Sequence, residues 1–270
     1  MAERIRSSRD ERSAYTLIPM FAGLLFGYIA GRRGMMDNRH ISNLNVHCHA
    51  GGMLPVAKHS PRVHDLLQLR SGVVSSAGVV KPDWVASSTA PNLWVVVRRA
   101  MAPNGLVAVG IRGINRQQRW GGFARISDAS ERVRPSQLSS HMARRTRIGL
   151  PALAALVWVE GQLGRSELDW GPLGSVGFEL ATGEPVISEQ SDLDIALFAP
   201  RRFTRDTARD LWSLMSAAPI KVDVRVETPY CGFSLEEYAR EGTEQVLVRL
   251  PASRKLAEDP WAISLIEDTQ

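Results

Sequence analysis

Ser191-Asp192-Leu193-Asp194-Ile195-Ala196-Leu197-Phe198 is a short apolar run with two acids spaced by two, and Asp192–Phe198 reads as a β-strand. In a strand, residues two apart share a face. Asp192 and Asp194 therefore project side by side, while Leu193, Ile195 and Leu197 point into a core. Adjacent carboxylates repel, and each raises the other's pKa, so neutral pH favours a cation between them. Oxygen ligands suit Mg²⁺ or Mn²⁺, which take a substrate's phosphates as further ligands.

Downstream, Ile220–Glu227 alternates in the same way and places Asp223 within Val222-Asp223-Val224-Arg225-Val226. If that strand neighbours the first, three carboxylates converge. That is a layout for in-line phosphoryl transfer with two metal ions, in which Asp223 is either a ligand or the base. Upstream, Gly174–Leu180 reads as a strand and Thr182-Gly183-Glu184-Pro185 as a turn. Gly174 allows close backbone approach, and Ser175 offers a hydroxyl to a phosphate oxygen.

The surrounding segments read as follows. Thr204–Met215 is an amphipathic helix with Ala208, Leu211, Trp212 and Met215 on one face. Ser234 with Glu237 forms a capping box that opens a helix to about Gly242, and Gln245–Leu250 is a last strand. Residues 136–163 read as two helices divided at Gly149-Leu150, with Pro151 in the first turn of the second. Residues 152–159 are apolar all round and so are expected to be buried. Leu93–Arg98 and Leu106–Arg112 form a hairpin across Pro103-Asn104-Gly105, followed by a basic, glycine-containing loop from Arg116 to Phe123.

Charge divides the chain. Residues 94–149 hold eleven arginines and two acids, an excess of +9, whereas residues 150–270 hold eleven basic and twenty acidic residues. A basic module facing an acidic one suits an anionic substrate and a metal. Arg112 and Arg119 are the candidates to clamp phosphates bidentately. His64, beside a helix start, reads as a packed or capping residue. With 44% hydrophobic and 23% charged residues in 270, disordered, collagenous, coiled-coil and many-span membrane classes are excluded. Two cysteines, Cys48 and Cys231, allow at most one bridge, which fits reduced thiols in a cytoplasmic protein; Cys231 reads as an inert small residue. Residues 1–57 read as a poorly packed extension. Their uncharged stretch Leu17–Ala30 is weak as a signal or membrane span, and His47-Cys48-His49 lacks the spacing of a zinc site.

Gly-Ser, then Asp192-Leu193-Asp194-Ile195, then Asp223 on a later strand resembles the nucleotidyltransferase superfamily of polymerase β. Longer runs resemble one family more closely, the phosphoribosyl-dephospho-CoA transferases of malonate decarboxylase. They are Trp170–Gly183, Ser191–Asp194, Val222–Pro229, Pro61–Leu67, Trp94–Arg99, Val109–Gly113 with Gln118-Arg119, and Asp259-Pro260-Trp261. The resemblance spans 201 of the 270 residues, although the sixteen residues between Ser175 and Asp192 exceed the usual superfamily spacing. It implies an α+β fold, with a small N-terminal α/β module (58–135) and a polymerase-β-like domain of mixed sheet and helices (136–270). It also implies transfer of a phosphoribosyl-dephospho-CoA group from 2′-(5″-triphosphoribosyl)-3′-dephospho-CoA to a carrier-subunit serine, with loss of diphosphate. The donor and the apo carrier are the implied partners, with neither nucleic acid nor membrane expected. Two other readings are a nucleotidyltransferase with a different acceptor, such as the citrate lyase carrier or a toxin-linked protein, and a non-enzymatic basic binding module. The basic block has few interleaved aromatics, which weighs against single-strand nucleic-acid binding.

Overall fold

The structure, a computed structural model, describes residues 60–70, 72–73, 80–87, 93–113, 117–164 and 166–263. The expectations for residues 1–57 lie outside these. The described residues form two sheets with helices, a mixed α+β architecture. The first sheet comprises β1 (Leu66–Leu69), β2 (Leu93–Val97), β3 (Leu106–Arg112), β4 (Arg119–Arg125) and β5 (Ala129–Val133), in the order β4-β3-β2-β1-β5. All its pairings are antiparallel, and α1 (Asp83–Ser87) lies between β1 and β2 in the chain. The expected hairpin is β2–β3. The expected loop is in part a strand: Arg119–Arg125 pairs along its whole length with β3. Its two glycines at 121 and 122 fit a strand here because β3 brings Gly110 and Val109 opposite them.

Alternation divides the sheet's side chains. Leu67, Leu69, Val95, Val97, Val109 and Ile111 bury in a core of their own. Leu66, Trp94 and Val96, from the opposite face, pack into the core of the second sheet. That sheet comprises β6 (Asp169–Pro172), β7 (Leu193–Phe198), β8 (Val222–Glu227), β9 (Gly232–Ser234), β10 (Val246–Arg249) and β11 (Arg254–Ala257). The order is β11-β10-β9-β8-β7-β6, with β7 and β8 parallel and the rest antiparallel. The parallel step is made by α4 (Arg205–Ser216), whose N-terminus Thr204 caps through the Thr207 amide and which buries Ala208, Leu211 and Met215. Trp212 is exposed rather than core-facing.

Three further expectations change. One helix, α2 (Pro151–Leu163), stands where two were read; residues 135–142 make short 3-10 turns. Pro151 sits at its start, but Ala154 and Val157 are exposed, so α2 is buried on most rather than all of its surface. The Gly174–Leu180 run is not a strand but the helix α3 (Gly174–Thr182), closed by Gly183 in the left-handed conformation (φ 73°). A short apolar run has no period that separates helix from strand. Long-range pairing decides it: Glu179 on α3 is buried and bound by Arg147 (Nη2 to Oε2, 3.0 Å) and by the Val186 and Ile187 amides, each at 2.8 Å. Finally, Ser234 does cap α5 (Leu235–Ala239), yet Glu237 receives the Leu247 amide (2.9 Å) and ties the helix to β10.

Burial works to raise the Glu179 carboxyl, but the Arg147 contact and the two amides outweigh it and hold it below its ordinary value. Arg147→Ala strands a buried carboxylate and is expected to cost about 3 kcal/mol, read as a lowered Tm. A depressed carboxyl stabilises above the unfolded value and loses that stabilisation as pH falls through the folded one. The Tm gap between wild type and Arg147→Ala should therefore be full at neutral pH and close in acid.

Near the C-terminus, Phe203, Phe233, Tyr238 and Trp261 pack edge to face with ring centroids 5.0 to 6.0 Å apart. Trp261 Nε1 also donates to the Ala199 carbonyl (2.8 Å). Cys231 is buried, its Sγ donating to the Pro260 carbonyl (3.3 Å), and burial raises its thiol pKa, in keeping with an inert role. Among the described residues, no helix is long and apolar enough to cross a membrane.

Candidate active site

Parallel pairing sets β7 beside β8 in the register Asp194↔Asp223. The alternation that turns the half-buried Asp194 and Asp223 to one face sends Leu193, Ile195 and Val226 into the core. Asp192, one residue before β7, completes a cluster: Asp192, Asp194 and Asp223 each offer a carboxylate oxygen, all within 4.8 Å of one another. Burial raises the Asp194 carboxyl above its ordinary value, Asp192 and Asp223 push it further, and Arg225 and Arg119 oppose them. Asp223 Oδ1 pairs with Lys221 Nζ at 2.9 Å, across an exposed edge. Three clustered hard oxygen donors, one of them raised by burial and by the charge of its neighbours, fit a divalent cation.

Gly174 opens α3 directly against this cluster. Its φ is +59°, and a Cβ there would lie 2.6 Å from Asp194 Oδ2. The Leu173 amide donates to the Asp194 carbonyl (2.8 Å), so the helix start and the acidic strand are joined through the backbone. Ser175, half-buried, follows in the first turn.

The first sheet supplies the opposing wall. Val96, Gly110 and Gly121 are cross-strand partners, so Arg98, Arg112 and Arg119, each two residues from one of them, share their face. With Trp120, Gly174 and Phe178 they line a cavity of about 390 Å³. Arg112 and Arg119 are directly opposite each other in the β3–β4 ladder. Arg98 reaches across the sheet, where a Cβ on Gly121 would lie 2.5 Å from its Nη1. Gly121→Ala is expected to push the Arg98 guanidinium aside with little change in Tm, because only a flexible tip must move. A raised KM for a phosphate-bearing substrate, with kcat nearly kept, is the readout.

All seven candidate residues from the sequence, Asp192, Asp194, Asp223, Gly174, Ser175, Arg112 and Arg119, thus lie on or beside this cleft. Sequence reading passed over Arg98, although its two-residue spacing from Val96 was a usable signal. It also passed over the pairing of His64. That residue has a left-handed backbone (φ 75°), and its Nε2 lies 2.7 Å from Glu227 Oε1, 163 positions away. Arg99 also binds Glu227 and donates to the Tyr230 carbonyl (3.0 Å). Burial works to raise the Glu227 carboxyl, but His64 and Arg99 outweigh it and hold it low.

A carboxylate triad on paired strands, faced by arginines across a cleft, is suited to moving a group between anionic substrates. Comparisons with known proteins give the family. The family model described as phosphoribosyl-dephospho-CoA transferase MdcG C-terminal domain matches residues 137–260, and its N-terminal domain counterpart matches residues 62–135. A protein of Pseudomonas putida named phosphoribosyl-dephospho-CoA transferase is 40% identical over 205 residues, 76% of this chain and 97% of that relative. Relatives of the same name from Pseudomonas aeruginosa (39% over 186 residues, 69% of this chain and 88% of the relative) and Azotobacter vinelandii (36% over 205 residues, 74% and 94%) are also similar. No solved structure matches the chain. The protein is an enzyme of the transferase class. It belongs to the phosphoribosyl-dephospho-CoA transferase family.

Proposed function

We propose that this chain transfers the phosphoribosyl-dephospho-CoA group of 2′-(5″-triphosphoribosyl)-3′-dephospho-CoA to a serine of the malonate decarboxylase acyl-carrier subunit and releases diphosphate. The observation that carries the reading is the acidic triad set against an arginine-lined cleft. Asp192, Asp194 and Asp223 hold Mg²⁺ or Mn²⁺. The bound ion supplies charge neutralisation on the triphosphate and on the leaving diphosphate. The serine oxygen bonds to the α-phosphorus, the bond from that phosphorus to the bridging oxygen breaks, and diphosphate leaves. Asp223, whose side chain is 38% exposed, shares the ion and receives the serine proton. Arg112 and Arg119 hold donor phosphates, and Ser175 hydrogen-bonds a phosphate oxygen at the start of α3.

Acyl carriers are acidic, and the exposed segment around Arg144 and Arg145 offers them a basic surface. Arg144→Glu/Arg145→Glu is expected to raise carrier KM, flatten its salt dependence and leave donor KM unchanged. The acceptor itself is tested by intact-mass spectrometry. Apo carriers of malonate decarboxylase and of citrate lyase, and the former with its acceptor serine changed to alanine, are each incubated with donor, Mg²⁺ and enzyme. Mass gain on the first carrier alone is the expected result. Equal or faster labelling of the citrate lyase carrier would reassign the acceptor.

A further inference from the structure

The charge balance of residues 150–270 is acidic, yet three of their arginines meet on one sheet face. Asp223, Arg225 and Glu227 alternate along β8 and so share a side. Glu227 is opposite Gly232 on β9, Gly232 is opposite Arg249 on β10, and Arg249 is opposite Arg254 on β11. One transverse row thus ends in two arginines facing each other, with Arg225 in the neighbouring row. Arg98 joins them from the first sheet, and the four line a cavity of about 350 Å³.

Carboxylates act on this group through space, Asp194 on Arg225 and Glu227 and Glu237 on Arg249. Among the described residues, no hydrogen bond or ion pair engages the guanidinium of Arg98, Arg225, Arg249 or Arg254. The acid in the cavity wall, Glu227, is already held by His64 and Arg99. Like charges directly opposed across strands destabilise a sheet, so such a cluster implies an anion of high charge. Partial burial lowers the Arg249 pKa, Arg225 and Arg254 lower it further, and Glu227 and Glu237 oppose them without restoring it.

The cavity shares wall residues with the candidate active site on two sides. Arg225 also lines the smaller cavity that contains Asp223, and Arg98 also lines the cleft at Gly174. Residues two apart on a strand are about 7 Å apart, so Arg225 stands one such step from the triad. The proposed donor has a matching pair of anionic groups: the triphosphate that reacts and, across a nucleoside, the diphosphate bridge to the pantetheine arm. We propose that Arg98, Arg225, Arg249 and Arg254 form a second anion subsite, which binds that internal diphosphate bridge while the triphosphate lies at the carboxylates. This rests on the donor assigned above, but the subsite itself needs no metal.

Dephospho-CoA carries the bridge and lacks the triphosphate, so it probes this subsite alone. Its binding is measured by calorimetry in EDTA, for the full-length wild type, Arg249→Gln, Arg254→Gln, Arg225→Gln and Asp194→Asn, each first checked by thermal melt. The wild type and Asp194→Asn should bind alike, and each arginine variant should bind about tenfold or more weakly, because a charge-assisted phosphate contact is lost. Arg249 and Arg254 are exposed, so their variants are expected to keep the wild-type melt. Undiminished binding by Arg249→Gln and Arg254→Gln would overturn the subsite. Tighter binding of inorganic diphosphate than of dephospho-CoA would overturn its assignment to the internal bridge. If the wild type modifies carrier while the arginine variants keep donor KM, the subsite fails and the proposed reaction stands. If the arginines bind dephospho-CoA but no carrier is modified, the subsite stands and the proposed reaction fails.

Discussion

Asp192→Ala and Asp194→Ala are each expected to abolish group transfer, by a factor of about a thousand or more, with a thermal melt equal to or slightly above that of the wild type. The large loss follows from removing a ligand of the ion that neutralises the triphosphate, since phosphoryl transfer is driven almost wholly by positioning and charge stabilisation. The retained melt follows from the cluster itself. Asp192, Asp194 and Asp223 lie within 4.8 Å of one another, and burial with mutual repulsion raises the Asp194 carboxyl. A carboxyl raised in the folded state costs stability above its folded pKa, and the cost disappears below the unfolded value. The melt advantage of Asp194→Ala should accordingly be largest at neutral pH and vanish in acid. Transfer near the wild-type rate in either variant would remove the triad from the chemistry. Asp223→Asn should also be severe, and its salt bridge with Lys221 makes its melt the more sensitive of the three.

Gly174→Ala is expected to reduce activity by about a hundredfold, the scale on which a misplacement of about 1 Å acts. Two costs coincide at this position. The left-handed backbone, φ +59°, disfavours any side chain by roughly 1–2 kcal/mol. The new Cβ would also lie 2.6 Å from Asp194 Oδ2, so either the carboxylate or the start of α3 must move. The carboxylate is the softer partner, so the fold survives while the ligand set is displaced. Divalent-metal affinity should therefore fall together with kcat, whereas Gly121→Ala, on the opposite wall, should alter KM alone. An active Gly174→Ala enzyme with unchanged metal affinity would show that the α3 start does not shape the site.

What the sequence revealed and what it hid follow one physical division. Asp192, Asp194 and Asp223 were legible because period-two alternation is local and the parallel register then brings them together. The fate of Gly174–Thr182 was not, because its helix depends on Arg147, 32 residues before the Glu179 it holds. Arg119 was found, but as part of a loop, since only β3 makes its segment a strand. The arginine row was hidden more deeply: Arg249 and Arg254 meet through the β10–β11 register, and Arg225 meets them through β9, none of which a count of charges shows. The +9 and acidic blocks pointed to two opposed modules, whereas the cationic surface next to the triad draws arginines from both.

The most direct test of the central claim follows diphosphate release and carrier mass together in one reaction of enzyme, 2′-(5″-triphosphoribosyl)-3′-dephospho-CoA, apo malonate decarboxylase carrier and Mg²⁺. One diphosphate should appear for each carrier that gains one phosphoribosyl-dephospho-CoA, and both signals should vanish with EDTA or with Asp194→Ala. Carrier modification that persists in Asp194→Ala, or diphosphate release without any gain in carrier mass, would contradict it.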